Sequence, residues 1–367
     1  MIKVFKSCPA VFAVGNTYQI MIPVNCETLM WVRVGENCYY DDSNGILRSR
    51  VAVHRMCVPM EELDCSGEYT VCYHKVIERK PYCTETEDIC EETFRFYPVK
   101  KGEIKAYHIS DAHNMVDLPV AAAKKFEETY GKIDFLILNG DIPDHSGDIK
   151  NFDNIYRIVS EITGGNIPTV FSRGNHDLRG VCAENLADYT PCENGNSYFD
   201  FRLGNIWGII LDCGEDKPDQ NDVYGHTICC HDFRLRETKY LEEIINDANN
   251  RYNADGIDYK LVISHIPFTA KHPEPFNIEE ELYTYWARLL KENIKPDLMI
   301  CGHKHTQRID SVGSENDAFG QPCTVVVASK VNLGENKYFA GTGFIFENGS
   351  IKAIFCDGEK IISESKI

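Results

Sequence analysis

Apolar positions along the chain fall into two kinds of run. Continuous stretches of β-formers recur at Ile104 to Ile109, Phe135 to Leu138, Ile167 to Phe171, Leu261 to Ile263 and Leu298 to Ile300. Between them lie segments of helical period: Leu241, Ile244, Ile245 and Ala248 repeat at that spacing, as do Leu282, Trp286, Leu289 and Leu290. Such stripes bury one face of a helix against a core. Alternation of strand and helix predicts sheets with helices packed on their faces. In open α/β sheets, ligands gather at the carboxyl ends of the strands.

The first hundred residues follow another pattern. Short clusters of β-formers such as Tyr18-Gln-Ile-Met-Ile and Trp31-Val-Arg-Val are separated by turn signals at Gly15-Asn16, Gly35-Glu-Asn37, Ser43-Asn-Gly45 and Ser66-Gly67. Helical period is weak there, so the spacing predicts a small all-β sandwich over residues 1–100. The junction falls near Val99-Lys-Lys-Gly102, and an α/β domain follows over 101–367. At 367 residues the chain is long enough for two domains, each with its own core.

Chemistry concentrates where the apolar runs of the second part end. Asp111-Ala-His113, Gly140-Asp141, Ser264-His265 and Gly302-His303-Lys-His305 each follow such a run at once, and Gly174-Asn175-His176-Asp177 begins two residues beyond one. Asp111, Asp141 and Asn175 offer oxygen; His113, His265, His303 and His305 offer nitrogen. Mixed O/N sets suit Zn, Mn, Fe or Co rather than Ca or a Cys-rich structural zinc site. Seven such donors exceed the needs of one tetrahedral ion and suit two ions sharing a bridge, for which Asp141 is the natural carboxylate. Any one run is more often a capped turn than a ligand. Five in order, each after a predicted buried strand, point to a metal site.

The order and context of these runs resemble the calcineurin-like metallophosphoesterase superfamily from about Ile104 to the C-terminus. The resemblance implies a four-layer αββα domain, two central sheets flanked by helices, holding two divalent ions. It implies Asp111, His113 and His305 on the first ion, Asn175, His265 and His303 on the second, and Asp141 between them. His176 would then stay free of metal, bond the substrate and protonate the leaving oxygen, its imidazole oriented by an acid for which Asp144 is the candidate. Two adjacent cations bind phosphate oxygens and lower the pKa of a bridging water to roughly 7, giving a hydroxide for in-line attack on phosphorus. The first hundred residues resemble the fibronectin type III-like domain that precedes the catalytic domain of purple acid phosphatases. Where those enzymes carry a Tyr ligand to ferric iron, this chain has Asp144, which implies a divalent pair without the tyrosinate colour.

Around this set, His145 and Arg173 are possible substrate contacts, though a structural salt bridge is the expected role of Arg173. His54, His74 and His272 are expected at surface or structural positions and His108 in the core, while His226 and His231 lie on a loop that could approach the site. The acidic run Glu85 to Glu92 reads as a solvated loop.

A formal charge of -18 disfavours generic nucleic-acid or anionic-membrane binding, because phosphate backbones need a basic face. No stretch approaches 18 apolar residues, and Met1-Ile-Lys-Val-Phe-Lys lacks a secretory h-region. Sixteen cysteines without Cys-x2-Cys pairs therefore predict a reduced, cytoplasmic protein without a structural zinc site. The function expected is metal-dependent hydrolysis of a small-molecule or protein phosphoester, monoester or diester. The alternative is a non-catalytic scaffold that keeps the fold and binds a partner.

Overall fold

The computed structural model describes residues 3–367. Its central sheet is mixed and has ten strands. Ile104–Ile109, Phe135–Asn139 and Thr169–Ser172 run parallel at its middle, flanked on one side by the antiparallel strands Tyr338–Glu347, Ser350–Asp357 and Ile361–Lys366. A second, six-stranded sheet is built around Ile206–Leu211, Tyr259–Ser264, Leu298–Cys301 and Thr324–Val327, all mutually parallel. Ile104, Ala106, Phe135 and Ile137 of the first sheet share one buried core with Ile210, Leu261, Ile263 and Ile300 of the second, which sets the sheets face to face.

Helices cover the outer faces. Asp117–Tyr130 and Asp153–Thr163 bury Val120, Phe126, Ile155 and Val159 against Tyr107, Ile109, Leu136 and Leu138. Cys230–Asn246 and Glu280–Leu289 bury Leu241, Ile244, Tyr283 and Trp286 against Trp207, Ile209, Val262 and Met299. Side chains alternate across a strand, so each central strand feeds a helix layer with one set of residues and the inter-sheet core with the other. The result is the four-layer α/β/β/α order.

The N-terminal region is strand-rich and forms two facing β layers, one of which continues the central sheet. Its strand Ala10–Val14 lies parallel to Thr169–Ser172 and extends the central sheet, followed by Thr17–Pro23 and Val53–Pro59. Ala10 and Phe12 face the helix-side core, while Val11 and Ala13 face the inter-sheet core. The other layer is a five-stranded sheet around Thr28–Val34 and Glu68–Arg79, whose Met30, Val32 and Val71 join that inter-sheet core. The boundary expected near residue 100 thus crosses a continuous sheet. The acidic run also departs from the loop expected: Thr84–Thr86 and Cys90–Arg95 both pair with Glu68–Arg79. Cys90, Glu91 and Glu92 are exposed on this edge strand, where charge on the outward positions discourages further pairing.

Candidate metal centre

All five sequence runs meet at the carboxyl ends of the parallel strands of the two facing sheets. Their loops are tied to one another through the main chain. Asp111 N donates to Gly140 O at 3.0 Å, His113 N to Asp141 O at 3.0 Å, Gly302 N to His265 O at 2.9 Å and His176 N to Asp141 Oδ1 at 2.8 Å. Across the sheet interface, His303 N donates to both carboxylate oxygens of Asp111 at 3.0 Å. Such close approach has backbone consequences. Asp111, His113, Asp141, His303 and His305 all carry positive φ, between 41° and 70°. Non-glycine residues occupy that region at a cost of order 1–3 kcal/mol each and keep it only where the surroundings over-determine them. Glycines leave the remaining room. A Cβ on Gly302 would stand 2.7 Å from Asp111 Oδ2, and one on Gly140 would stand 2.6 Å from His265 Nδ1.

Seven donors converge. His113 Nε2 lies 3.1 Å from His305 Nε2, which lies 3.5 Å from Asp111 Oδ1. His265 Nε2 lies 3.2 Å from Asp141 Oδ2 and 3.8 Å from Asp111 Oδ1. Asn175 Oδ1 lies 3.0 Å from His303 Nδ1. Two donors each about 2.1 Å from one ion stand roughly 3.0–3.4 Å apart when their angle is between square and tetrahedral, so the separations of 3.0–3.2 Å fit shared cations and those of 3.5 and 3.8 Å are somewhat wider. Asp111, His113 and His305 form one compact group, and Asp111, Asp141 and His265 another; Asp141 also groups with His113 and His176.

Outer partners aim two of the donors inward. His265 Nδ1 bonds Asn139 O at 2.7 Å, which leaves a buried Nε2 with no hydrogen-bond partner pointing into the centre. Asn175 Nδ2 donates to Asp216 Oδ2 at 3.5 Å, turning its carbonyl oxygen inward. Outer partners of this kind fix ring orientation, tautomer and basicity. Protonation follows the same logic. Burial opposes ionisation of Asp111 and Asp141, but the neighbouring His265 imidazole holds both below the usual carboxylate range. Burial pushes His303 down to about 3 and also lowers His113, keeping lone pairs available. Burial would lower His265 as well, yet the Asp141 and Asp111 carboxylates push it up to about 10. A cation entering here displaces a proton rather than filling a neutral cage.

His176 sits beside this set, its ring 4.7 Å from that of His113 at an interplanar angle of 87°. The sequence reading gave the Asp144 carboxylate to His176; the structure divides the residue differently. The Asp144 main-chain oxygen bonds His176 Nδ1 at 2.8 Å, while Asp144 Oδ1 bonds His113 Nδ1 at 3.1 Å. The loop turns the side chain toward His113 and leaves its carbonyl facing His176. His176 Nε2 in turn accepts from Arg179 Nη1 at 3.0 Å. Arg179 was missed from sequence, as were its partners Glu215 (2.8 and 2.9 Å) and Asp216 (3.1 Å). The last two follow the strand Ile206–Leu211, so they too mark a strand end, but one without a histidine to draw notice. Asp177 was also passed over. Its Oδ2 accepts from Gly174 N at 2.7 Å and Asp141 N at 3.3 Å, and burial followed by the Asp141 charge raises its carboxyl to about 7.

The remaining candidates are placed as follows. Arg173 Nε meets Asp212 Oδ2 at 2.7 Å, with the guanidinium over the Phe233 ring, an arrangement that anchors a loop. His145 Nδ1 accepts from Gly147 N at 2.9 Å, folding back on its own turn. His108 is buried with both ring nitrogens unpartnered, and burial lowers it to about 3. His54 is buried against Asp41 at 2.7 Å, and the ring of the half-buried His74 lies 5.7 Å from that of Trp31. His231 is exposed and bonds Glu279, and His226 is exposed. His272 is more intimate than a surface site: it is buried, contacts Lys304 Nζ, and its ring lies 6.0 Å from that of His303.

Paired sheets inside helices, with a His/Asp/Asn donor set at their common carboxyl edge, define a metal-centred hydrolase architecture. The chain belongs to the calcineurin-like phosphoesterase family, whose profile matches residues 104–307. No curated protein matches significantly. Among solved structures, purple acid phosphatase PPD1 from yellow lupin (Lupinus luteus) seeds superposes with a TM-score of 0.62 at 12% identity, over 98% of this chain and 73% of that one. This likeness shows a shared fold, including the strand-rich N-terminal region. The protein TT1561 of Thermus thermophilus is similar at 15% identity and a TM-score of 0.39, over 65% of this chain and 93% of that one. No helix is long and apolar enough to cross a membrane among the described residues, and all sixteen cysteines are unpaired.

Proposed function

We propose that this protein hydrolyses phosphoesters with two divalent transition-metal ions, Asp111, His113 and His305 holding one, Asn175, His265 and His303 the other, and Asp141 shared. The observation that carries the proposal is the clustering of Asp111, His113, Asp141, His265 and His305 at separations of 3.1–3.8 Å, with the Asn175–His303 pair beside them, its His303 ring 5.6 Å from that of His265. The metals, when bound, supply Lewis acidity toward phosphoryl oxygens and a nucleophilic water near neutral pH. Asp141 aligns the two half-sites by accepting from His176 N while its other oxygen faces His265. His176, anchored at Nδ1 by the Asp144 carbonyl, presents Nε2 toward the leaving oxygen. Because Nε2 now accepts from Arg179, proton donation requires Arg179 to release it. Arg179 also lines a cleft of about 690 Å³ with Val181, Lys217, Val223 and Tyr224, which is where the leaving group would lie. With unpaired thiols throughout, we place the protein in the cytoplasm.

The test is metal content together with turnover. Protein reconstituted with Mn, Zn, Fe or Co should carry about two ions per chain and hydrolyse members of a phosphoester panel. Protein that takes up no metal and turns over nothing would leave the scaffold reading.

A further inference from the structure

We propose that the N-terminal region carries a second ligand site, independent of the metal centre, for a small multivalent oxyanion bearing phosphate or carboxylate groups. Two adjoining cavities of about 460 and 360 Å³ share Arg48, Arg50 and Val51 in their walls. Arg79 completes the first and Arg55 the second, so four arginines line two neighbouring cavities. On a chain of formal charge -18 this is a local reversal of sign. Its planar donor forks match phosphate and carboxylate oxygens.

These guanidiniums are poorly neutralised. Arg55 bonds only Ala187 O, Thr190 O and Cys192 Sγ, and its Nε is buried without a partner. Arg79 bonds Leu47 O and Ser49 Oγ, again no carboxylate. These two are held in place as the floor of the site. Arg48 and Arg50 are exposed arms: Arg48 stands 3.8 Å from Asp41, and Arg50 pairs with Glu27 at 3.1 Å with the two side chains 77% and 41% exposed. An exposed pair such as Arg50–Glu27 is worth about 0–1 kcal/mol, so Arg50 is free to exchange its partner for a ligand, while Arg48 stands at a loose 3.8 Å from an Asp41 side chain that is only 4% exposed. Asp188, on the second cavity wall, is the carboxylate that opposes an anion and limits where its charges sit. Ser43, Ser49 and Asn185 add neutral polar groups. Cationic groups spread over two neighbouring cavities suit several linked charges better than a single one.

Isothermal titration of the full-length protein, stripped of metal with EDTA, with sodium tripolyphosphate and separately with sodium citrate tests this. A saturable, salt-sensitive site for at least one probe is expected, and the tighter probe identifies the head group. Arg48→Ala/Arg50→Ala should weaken binding at least tenfold in a protein that still melts cooperatively, and Arg48→Lys/Arg50→Lys should recover part of it. Asp141→Asn should leave it intact, which separates this site from the metal centre. Absence of binding by either probe, full affinity in the double alanine variant, or loss of binding in Asp141→Asn would each overturn the proposal.

Discussion

Gly174→Ala probes the centre with a single methyl group and no change of charge. Gly174 does not occupy the left-handed region, so alanine meets no backbone penalty there and the effect is steric. The added Cβ would stand 2.5 Å from Asp141 N and 3.0 Å from Asp141 Cγ, and closer still to Oδ1. Comfortable separation is about 3.5 Å, so the Asp141 loop has to retreat by roughly 1 Å. Metal–ligand distances tolerate only about 0.2 Å. Asp141 is therefore pushed off coordination distance, and metal affinity should fall by at least the roughly 10–100-fold that disrupting an outer-shell partner costs, or about 1.4–2.7 kcal/mol. Overpacking adds a stability loss of about 1–3 kcal/mol. Chelator-buffered Mn or Zn titration of the stripped protein reads the first quantity, and urea melts of the same sample read the second. Gly334→Ala is the control, because its Cβ would meet only the Asn332 side-chain oxygen at 3.2 Å. Metal affinity within twofold of wild type in a folded Gly174→Ala protein would refute the assignment of Asp141 as a ligand.

Three further outcomes follow from the geometry. His176→Ala should lower turnover by about 10²–10⁴-fold on alkyl phosphates and much less on nitrophenyl phosphate, at wild-type metal content; loss of an ion would make it a ligand instead. Removing residues 1–100 should leave an insoluble remainder without a native circular dichroism spectrum, since it strips the Ala10–Val14 strand from Thr169–Ser172 and exposes Phe171, against which Phe12 packs; a soluble, folded 101–367 fragment would contradict this. Burial, followed by the Asp212 charge, raises the Glu237 carboxyl well above its usual value while Oε2 lacks a partner. A raised folded pKa means this group's contribution is full below the unfolded value near 4.5 and is lost as pH rises through the folded one. Glu237→Gln should therefore gain stability relative to wild type between pH 5 and pH 8 in urea melts, and an equal difference at both would be the refuting result.

The candidate donors were legible because each lies within a short local signature at the end of an apolar run. What surrounds them was not, since those contacts join residues far apart in sequence. Arg179 meets Glu215 across 36 positions, and no periodicity marks such a pair. For Asp144 the sequence could not say that its carbonyl would meet His176 and its carboxylate His113. The two N-terminal layers differ in how their strands are covered. Thr28–Val34 alternates buried and half-buried positions, as a sandwich strand covered on one face does, whereas Ala10–Val14 is apolar and buried at every position. A continuous apolar run belongs to a strand covered on both faces, and here that place is inside the central sheet.

That placement bears on the metal centre. Thr169–Ser172 delivers the loop that carries Asn175 and His176, and it is held between Phe135–Asn139 on one edge and Ala10–Val14 on the other. Without the N-terminal strand it would be a sheet edge with unpaired main-chain groups. The same region also reaches the second sheet, where Gly15 N donates to Asp200 O at 2.7 Å. Since donors from both sheets have to meet within a few tenths of an ångström for shared coordination, a segment bonded to both sheets acts on the centre by fixing their relative position. The N-terminal region contributes none of the seven donors, but it sets the rigidity with which they are presented.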